Sequence, residues 1–152
     1  MNRHEMERCF PRLKQHGYEI TSRYDEGYNC VAFAAEDEEY WWWPAEVGDA
    51  YWPAGVPRQE TIESFLQAFA TLGYERCADG LPESGFQKVA IFADVRGVPT
   101  HVARQSADGR WMSKLGKCED IRHDEVGALE DSVYGKVAGY LRRPFGQSRP
   151  MV

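Results

Sequence analysis

The chain has 152 residues, four cysteines and a formal net charge of −6 at pH 7. This length suits one domain over residues 1–152, with a hydrophobic core that needs no disulfide or metal for support. The acidic balance argues against nucleic acid as a partner. The scattered Cys and His residues show no metal-ligand spacing, and no cofactor is expected. The longest apolar run is too short to cross a membrane and no signal peptide is visible, so we expect a cytoplasmic protein.

The chain opens with an amphipathic pattern. Apolar side chains recur on one side of residues 3–16, which predicts a helix with a kink at Pro11. Alternation over 18–24 predicts a strand, and the polar residues 25–27 predict a turn. These elements lead directly to Cys30.

Cys30 precedes a short run of small and apolar residues, Val31 to Ala35, that is compatible with a helix. A thiol at a helix N-terminus meets aligned peptide dipoles and unpaired N–H groups, which lower its pKa and make it reactive near neutral pH. Cys30 is therefore the candidate nucleophile. The alternative is a buried cysteine that only packs in the core.

A long loop rich in Trp and Pro follows, between Tyr40 and Pro57. Loops of this length in a compact domain are functional or are packed by their own side chains. Trp42, Trp43 and Trp52 are candidates for the wall of a substrate groove, with a hydrophobic cap over the sheet as the alternative. The acidic run 36–39 is interpreted as a solvated helix end and not as a cation site.

A regular apolar stripe predicts a helix over 59–72. After this helix, the spacing of the apolar residues changes from the period of a helix to that of a strand. Helices followed by antiparallel strands predict an α+β fold, in which the N-terminal helices, including the cysteine helix, pack on a small antiparallel β-sheet. The later elements are strands over 88–94, 100–106, 110–115 and 134–141, a short helix over 124–130 and a flexible tail over about 143–152.

His101 lies on the second of these strands and is the candidate base for Cys30. Residues 107–109, Ala-Asp-Gly, fit a three-residue hairpin loop that pairs Ala103 with Ser113. His101 and Ser113 then share one face of the sheet, so Ser113 is a candidate third catalytic residue.

Two other features of this site stay open. A two-residue loop would place Lys114 on the His101 face, and Asp120 is chemically better suited than Ser113 to orient an imidazole. An oxyanion would meet the Cys30 backbone N–H and one donor from the preceding segment, where the candidates are Tyr24, Tyr28 and Asn29.

Three elements together, YNCVAFAA, YWPAGVP and THVARQSADGRWMSKLG, resemble an uncharacterised bacterial domain family over roughly residues 24–144. A cysteine at a helix start followed by a histidine on a strand is also distantly similar to papain-like hydrolases, including the NlpC-type endopeptidases. That resemblance implies an acyl-enzyme mechanism and agrees with Ser113 on the strand after His101. Papain-like enzymes commonly have a Gln shortly before the cysteine, where it donates to the oxyanion. This chain departs from that pattern, because no Gln lies between Gly17 and Cys30.

The preferred functional hypothesis is a papain-like cysteine hydrolase that acts on a peptide, isopeptide or related amide. In it, Cys30 attacks the carbonyl, His101 transfers the proton, and Ser113 or Asp120 orients the imidazole. The alternative is a non-catalytic module that binds a protein or peptide through the Trp-rich loop. In either case we expect a monomer or weak oligomer with a peptide or protein partner and no membrane contact.

Overall fold

The computed structural model describes residues 3–21, 27–45, 50–115, 120–130 and 134–145. Helices predominate in the first half of the described chain and strands in the second, which is the segregation typical of an α+β fold. The elements are α1 (Arg3–Cys9), α2 (Arg12–His16), β1 (Tyr18–Ile20), α3 (Cys30–Ala34), α4 (Ile62–Ala70), β2 (Glu75–Cys77), β3 (Phe86–Ala93), β4 (Pro99–Gln105), β5 (Trp111–Lys114), β6 (Asp120–His123), a 3-10 helix (Val126–Leu129) and β7 (Lys136–Pro144).

One antiparallel sheet of seven strands, in the order β1-β6-β5-β4-β3-β7-β2, organises the described residues. This confirms the α+β class and corrects the expected small sheet. Strands β2 and β6, which have only three and four residues, were not predicted. Such short strands carry too few alternating positions to be recognised, and pairing with β7 and β5 makes them strands.

The sheet buries one hydrophobic cluster on each face. Helices α3 and α4 pack on what we call the cysteine-helix face, and α1, α2 and the 3-10 helix pack on the N-terminal face. Successive strand residues point to opposite faces, so β4 sends Val102 to the first cluster and Ala103 to the second. Which helix a β4 side chain meets therefore depends on whether its number is odd or even.

The predicted hairpin register is confirmed. The backbone N–H of Ser106 donates to the Arg110 carbonyl (2.8 Å), and Gly109 takes a φ of +90°. Only a residue without a Cβ adopts this left-handed conformation at little cost. Arg104 consequently pairs with Met112, which is the register of a three-residue loop.

Several predicted element boundaries shift, and two of these differences matter for the fold. The opening helix divides at Phe10 and Pro11 into α1 and α2. The last strand continues to Pro144, so Arg143 is not the start of a tail but a buried residue of β7, and its Nη1 donates to the Leu72 carbonyl (3.0 Å). Residues 22–24 of the first predicted strand and residues 146–152 of the predicted tail lie outside the described residues.

Among the described helices, none combines the length and apolar character that a bilayer crossing needs.

Candidate functional site around Cys30 and His101

Cys30 begins α3, as the sequence predicts, because Asn29 caps the helix. The Asn29 Oδ1 accepts hydrogen bonds from the backbone N–H groups of Ala32 (3.1 Å) and Trp42 (3.1 Å). Its Nδ2 donates to the Trp42 carbonyl (2.8 Å). Both polar atoms of this side chain thus cap α3 and hold the Trp-rich loop against it, which gives Asn29 a structural role.

The Cys30 thiol is buried, with only 6% of the residue exposed. Burial raises the pKa of the thiol to about 11, because a thiolate would lose its hydration. Backbone hydrogen bonds with Val102 and Val31 and the positive charge of Lys114 act in the opposite direction, and burial outweighs them. At neutral pH the thiol of this conformation is protonated.

His101 lies on the other face of the sheet from Cys30. Its ring stacks on Tyr134 (centroids 4.2 Å apart) and meets the edge of Phe92 (5.3 Å), a residue of the N-terminal-face cluster. Cys30 contacts the opposite cluster, together with Val102. The predicted pairing of Cys30 with His101 is therefore not made in this structure. The order of helices and strands can be predicted from the sequence, but it does not specify to which face of the sheet the histidine side chain points.

The predicted contact between His101 and Ser113 is present, within a chain of three buried residues. The His101 Nε2 lies 3.0 Å from the Ser113 Oγ, which lies 2.9 Å from the His123 Nε2. His123 was not predicted as part of this site, because no strand was expected between residues 115 and 124. The alternation of Ile121, Arg122 and His123 is the signal that would have placed it on the Ser113 face, because β6 pairs with β5.

The hydrogen bonds fix the direction of this chain. The His123 Nδ1 lies 2.9 Å from the Glu125 carbonyl, which only accepts, so this nitrogen carries the proton. The His123 Nε2 must then accept from the Ser113 hydroxyl, and Ser113 accepts from the protonated His101 Nε2. Within the described part of the chain, the buried His101 Nδ1 has no hydrogen-bond partner.

Burial lowers the pKa of both imidazoles. The pKa of His123 falls to about 4, although the Glu125 carbonyl and the Asp124 charge favour its protonated form. Burial and the neighbouring His123 hold the pKa of His101 well below its ordinary value. Both rings are neutral at physiological pH.

Asp120 and Tyr28 form a second polar group, on the cysteine-helix face. The Tyr28 hydroxyl donates to the Asp120 Oδ2 (2.6 Å), and the Lys114 Nζ lies 4.8 Å from the centre of the Tyr28 ring. All three residues are buried. Asp120 therefore lies on the opposite face from His101 and does not orient it, and the Tyr28 hydroxyl is engaged by Asp120. The confirmed hairpin register puts Lys114 on this face, beside the cysteine helix.

The tryptophans of the long loop are a cap on the core, which was the alternative interpretation. Trp42 and Trp52 are buried, and their Nε1 atoms donate to the Asp37 carboxylate (2.9 Å) and the Pro57 carbonyl (3.0 Å). Trp43 packs edge-on against Phe65, with ring centroids 5.6 Å apart. Tyr24, the remaining candidate, lies outside the described residues.

The loop exposes tyrosines instead. Tyr40 is 61% exposed and Tyr51 is 40% exposed. Tyr40 lies at a groove of about 580 Å³ that is lined by residues 36–40 and Arg104. Two acids of this lining already have partners: Glu36 lies 3.7 Å from Arg104, and Asp37 accepts from the backbone N–H of Tyr40.

Among the described residues, no group of three His, Cys, Asp or Glu side chains is arranged to hold a metal ion.

A family model described as "Domain of unknown function (DUF7689)" matches residues 19–142. The chain belongs to this family. The matched range begins inside β1 and includes Cys30, both buried histidines and Lys114, while α1 and α2 precede it. No curated protein and no solved structure matches this DUF7689 chain.

Proposed function

We propose that this DUF7689 chain is a protein- or peptide-binding module whose main contact residues are Tyr40 and Tyr51. The observation that carries the proposal is the exposure of both rings on a buried, hydrogen-bonded frame. Tyrosine is enriched at protein interfaces because its ring is rigid, largely apolar and carries one polar group. The Trp-rich loop is still the element that contacts the partner, but its exposed tyrosines make the contact and its tryptophans do not.

The frame beneath Tyr51 holds this residue in place. The Tyr51 N–H donates to the Trp41 carbonyl (2.8 Å), and the Trp43 N–H donates to the Tyr51 carbonyl (3.1 Å). The Tyr51 ring packs on buried Trp42, with centroids 4.7 Å apart. A contact residue fixed in this way loses little conformational entropy when a partner binds, which favours affinity.

The groove beside Tyr40 gives a partner a place to insert a side chain. Its volume lies within the range of roughly 300–1,000 Å³ that is typical of ligand sites. Exposed carboxylates at its rim belong to Glu38 and Glu39, so the partner side chain is expected to be cationic or neutral.

Peptide display tests this proposal. The purified domain is used to select a random peptide library, and the affinities of the enriched peptides are measured by fluorescence polarisation. We expect Tyr40→Ala and Tyr51→Ala each to weaken binding by about tenfold or more, as interface tyrosines do. Val95→Ala, at a fully exposed site in the β3–β4 turn, is the matched control and should bind like the unmodified chain. Selection of no peptide, or equal affinities for all the variants, would contradict the proposal.

A cysteine hydrolase remains the second candidate, because Cys30 lies at the start of α3 within reach of the Lys114 charge. In this proposal the papain-like relationship accounts for the cysteine helix, and a peptide, isopeptide or related amide in the cytoplasm is the substrate. A thiolate at Cys30 requires that the thiol gain access to solvent and that a base reach it. Neither His101 nor His123 lies on its face of the sheet.

Alkylation distinguishes the two candidates. In a chain whose other three cysteines are replaced by Ser, a hydrolase is expected to react with iodoacetamide at Cys30 at pH 7, and Lys114→Met is expected to slow the reaction. A binding module is expected to leave the folded thiol unreacted at that pH, because its pKa is about 11. Equal labelling of the folded chain and of a urea-unfolded sample at pH 7 would contradict the buried thiol described above.

A further inference from the structure

The His101–Ser113–His123 chain joins three strands and contacts the helical layer of the N-terminal face at two points. His101 stacks on Tyr134, whose ring lies 5.0 Å from the ring of Phe10, between α1 and α2. His123 bonds the carbonyl of Glu125, the residue that precedes the 3-10 helix. The chain thus lies where the sheet meets α1, α2 and the 3-10 helix, and all three of its side chains are fully buried.

We infer that the His101–Ser113–His123 chain is an acid-sensitive latch, which holds the layer of α1, α2 and the 3-10 helix on the sheet while both imidazoles are neutral and releases it on protonation. The latch lies on the opposite face from the Tyr40 groove, so it does not rest on the proposed binding function.

The directions of the hydrogen bonds explain why one added proton disturbs the whole chain. A proton on the His123 Nε2 faces a Ser113 oxygen that already accepts from His101. Ser113 can then keep a partner for its own hydrogen only if His101 changes tautomer and accepts at Nε2. The proton of His101 moves to Nδ1, which has no acceptor among the described residues and is surrounded by Phe92 and Tyr134. Either arrangement leaves a buried charge with an unsatisfied donor, which is costly.

The groups around the latch do not compensate for such a charge. The Asp124 carboxylate is the one described group whose charge favours His123 protonation, and it also lies 3.6 Å from the Arg110 Nε. From α2 and the 3-10 helix the described side chains that pack here are apolar. Among the described residues, the other titratable groups on this side are Tyr18 of β1, which pairs with His123, and Tyr134 before β7. Glu7 and Arg3 of α1 both contact Tyr18 and carry opposite charges.

Acid weakens the latch, because both imidazole rings are neutral while the N-terminal layer is held on the sheet. The latch is fully effective above the ordinary histidine pKa of about 6.5 and weakens as pH falls toward the value of about 4 in the folded state. The opening constant is the equilibrium constant for release of the N-terminal layer from the sheet. When pH falls from 7.5 to 5.0, each imidazole that is protonated only after release raises this constant by about 30-fold. Two such imidazoles raise it by roughly 1,000-fold.

Native-state hydrogen exchange on the full chain at these two pH values tests the latch, with rates converted to protection factors. The amides of Phe10, Gly17 and Ala128, bonded to Met6, Leu13 and Glu125, report on the N-terminal layer. The amides of Phe65 and Leu72 report on α4. We expect the first group to lose protection by roughly 1,000-fold and the second by much less. An equal loss in both groups would show global acid unfolding and would overturn the latch.

Variants and a direct titration complete the test. His123→Gln removes one titrating ring and should reduce the pH response of the N-terminal amides to about 30-fold. His4→Gln, which removes an exposed histidine of α1, is the matched control and should leave it at roughly 1,000-fold. In the unmodified chain, NMR of the imidazole nitrogens should show the Nε2–H form of His101 and the Nδ1–H form of His123 at pH 7.5. Titration of both rings near pH 6.5 with the N-terminal amides still protected would overturn the latch without any variant.

Discussion

Replacement of Asn29 by Ala provides the sharpest test of how α3 and the Trp-rich loop are joined. The change removes the helix cap, worth about 1 kcal/mol, and two hydrogen bonds to the buried backbone of Trp42. Each buried backbone group that loses its partner costs about 1–3 kcal/mol. We therefore expect Asn29→Ala to lower the free energy of unfolding by about 3–7 kcal/mol, a large share of the total for a domain of this size.

Urea unfolding followed by tryptophan fluorescence measures this loss as a shift of the midpoint at constant slope. Thr61→Ala is the matched control, because Thr61 caps α4 through a bond from the Ser64 N–H (3.1 Å) and its side chain holds no second segment among the described residues. It should cost about 1 kcal/mol. Asn29→Asp keeps the acceptor oxygen and loses the donor to Trp42, so its stability should fall between the other two variants.

Equal losses of unfolding free energy for Asn29→Ala and Thr61→Ala would refute the idea that the Asn29 bonds to Trp42 clamp the loop to α3. The experiment also separates the structural role of Asn29 from the catalytic role that the sequence suggested. An oxyanion donor would lower turnover of an amide substrate with little effect on stability, whereas a cap and clamp lowers stability first.

Two further substitutions test the sheet by thermal unfolding. Gly135 has a φ of +80°, and a Cβ there would lie 2.1 Å from a backbone oxygen of β3, so Gly135→Ala should cost more than about 2 kcal/mol. Gly97, with a φ of +82° and open space around it, is the control and should lose about 1 kcal/mol on replacement by Ala. Arg143→Met removes a buried guanidinium 3.3 Å from half-exposed Glu36, and solvent screening limits the expected loss to about 2 kcal/mol. Arg96→Met, at an exposed site, should change stability by less than about 0.5 kcal/mol. Equal losses of stability at the two arginines would contradict the stabilising role of the buried Arg143 contacts.

The local features that the sequence predicted correctly depend on neighbours a few residues apart. Cys30 begins a helix because the run that follows it is small and apolar and Asn29 precedes it as a cap. The contact between His101 and Ser113 follows from the length of one hairpin loop, with Gly109 at its left-handed position. Both predictions required no knowledge of the rest of the fold.

The failures involve residues that are far apart in sequence. The distance from Cys30 to His101 depends on which face of the sheet receives α3, and no local pattern specifies that choice. His123 joins the histidine chain only because β6 pairs with β5. Trp52 is a core residue because it packs against Phe65 of α4, and Trp42 is held by Asn29, which lies thirteen residues before it.

The sequence by itself determined the α+β class, the hairpin register and the helix that starts at Cys30, because caps, glycine conformations and side-chain periods act over short stretches of chain. Only the tertiary structure decided that the thiol and His101 lie on opposite faces of the sheet. The physical reason is that a strand presents successive side chains to two separate layers, and long-range burial assigns each helix to one of them.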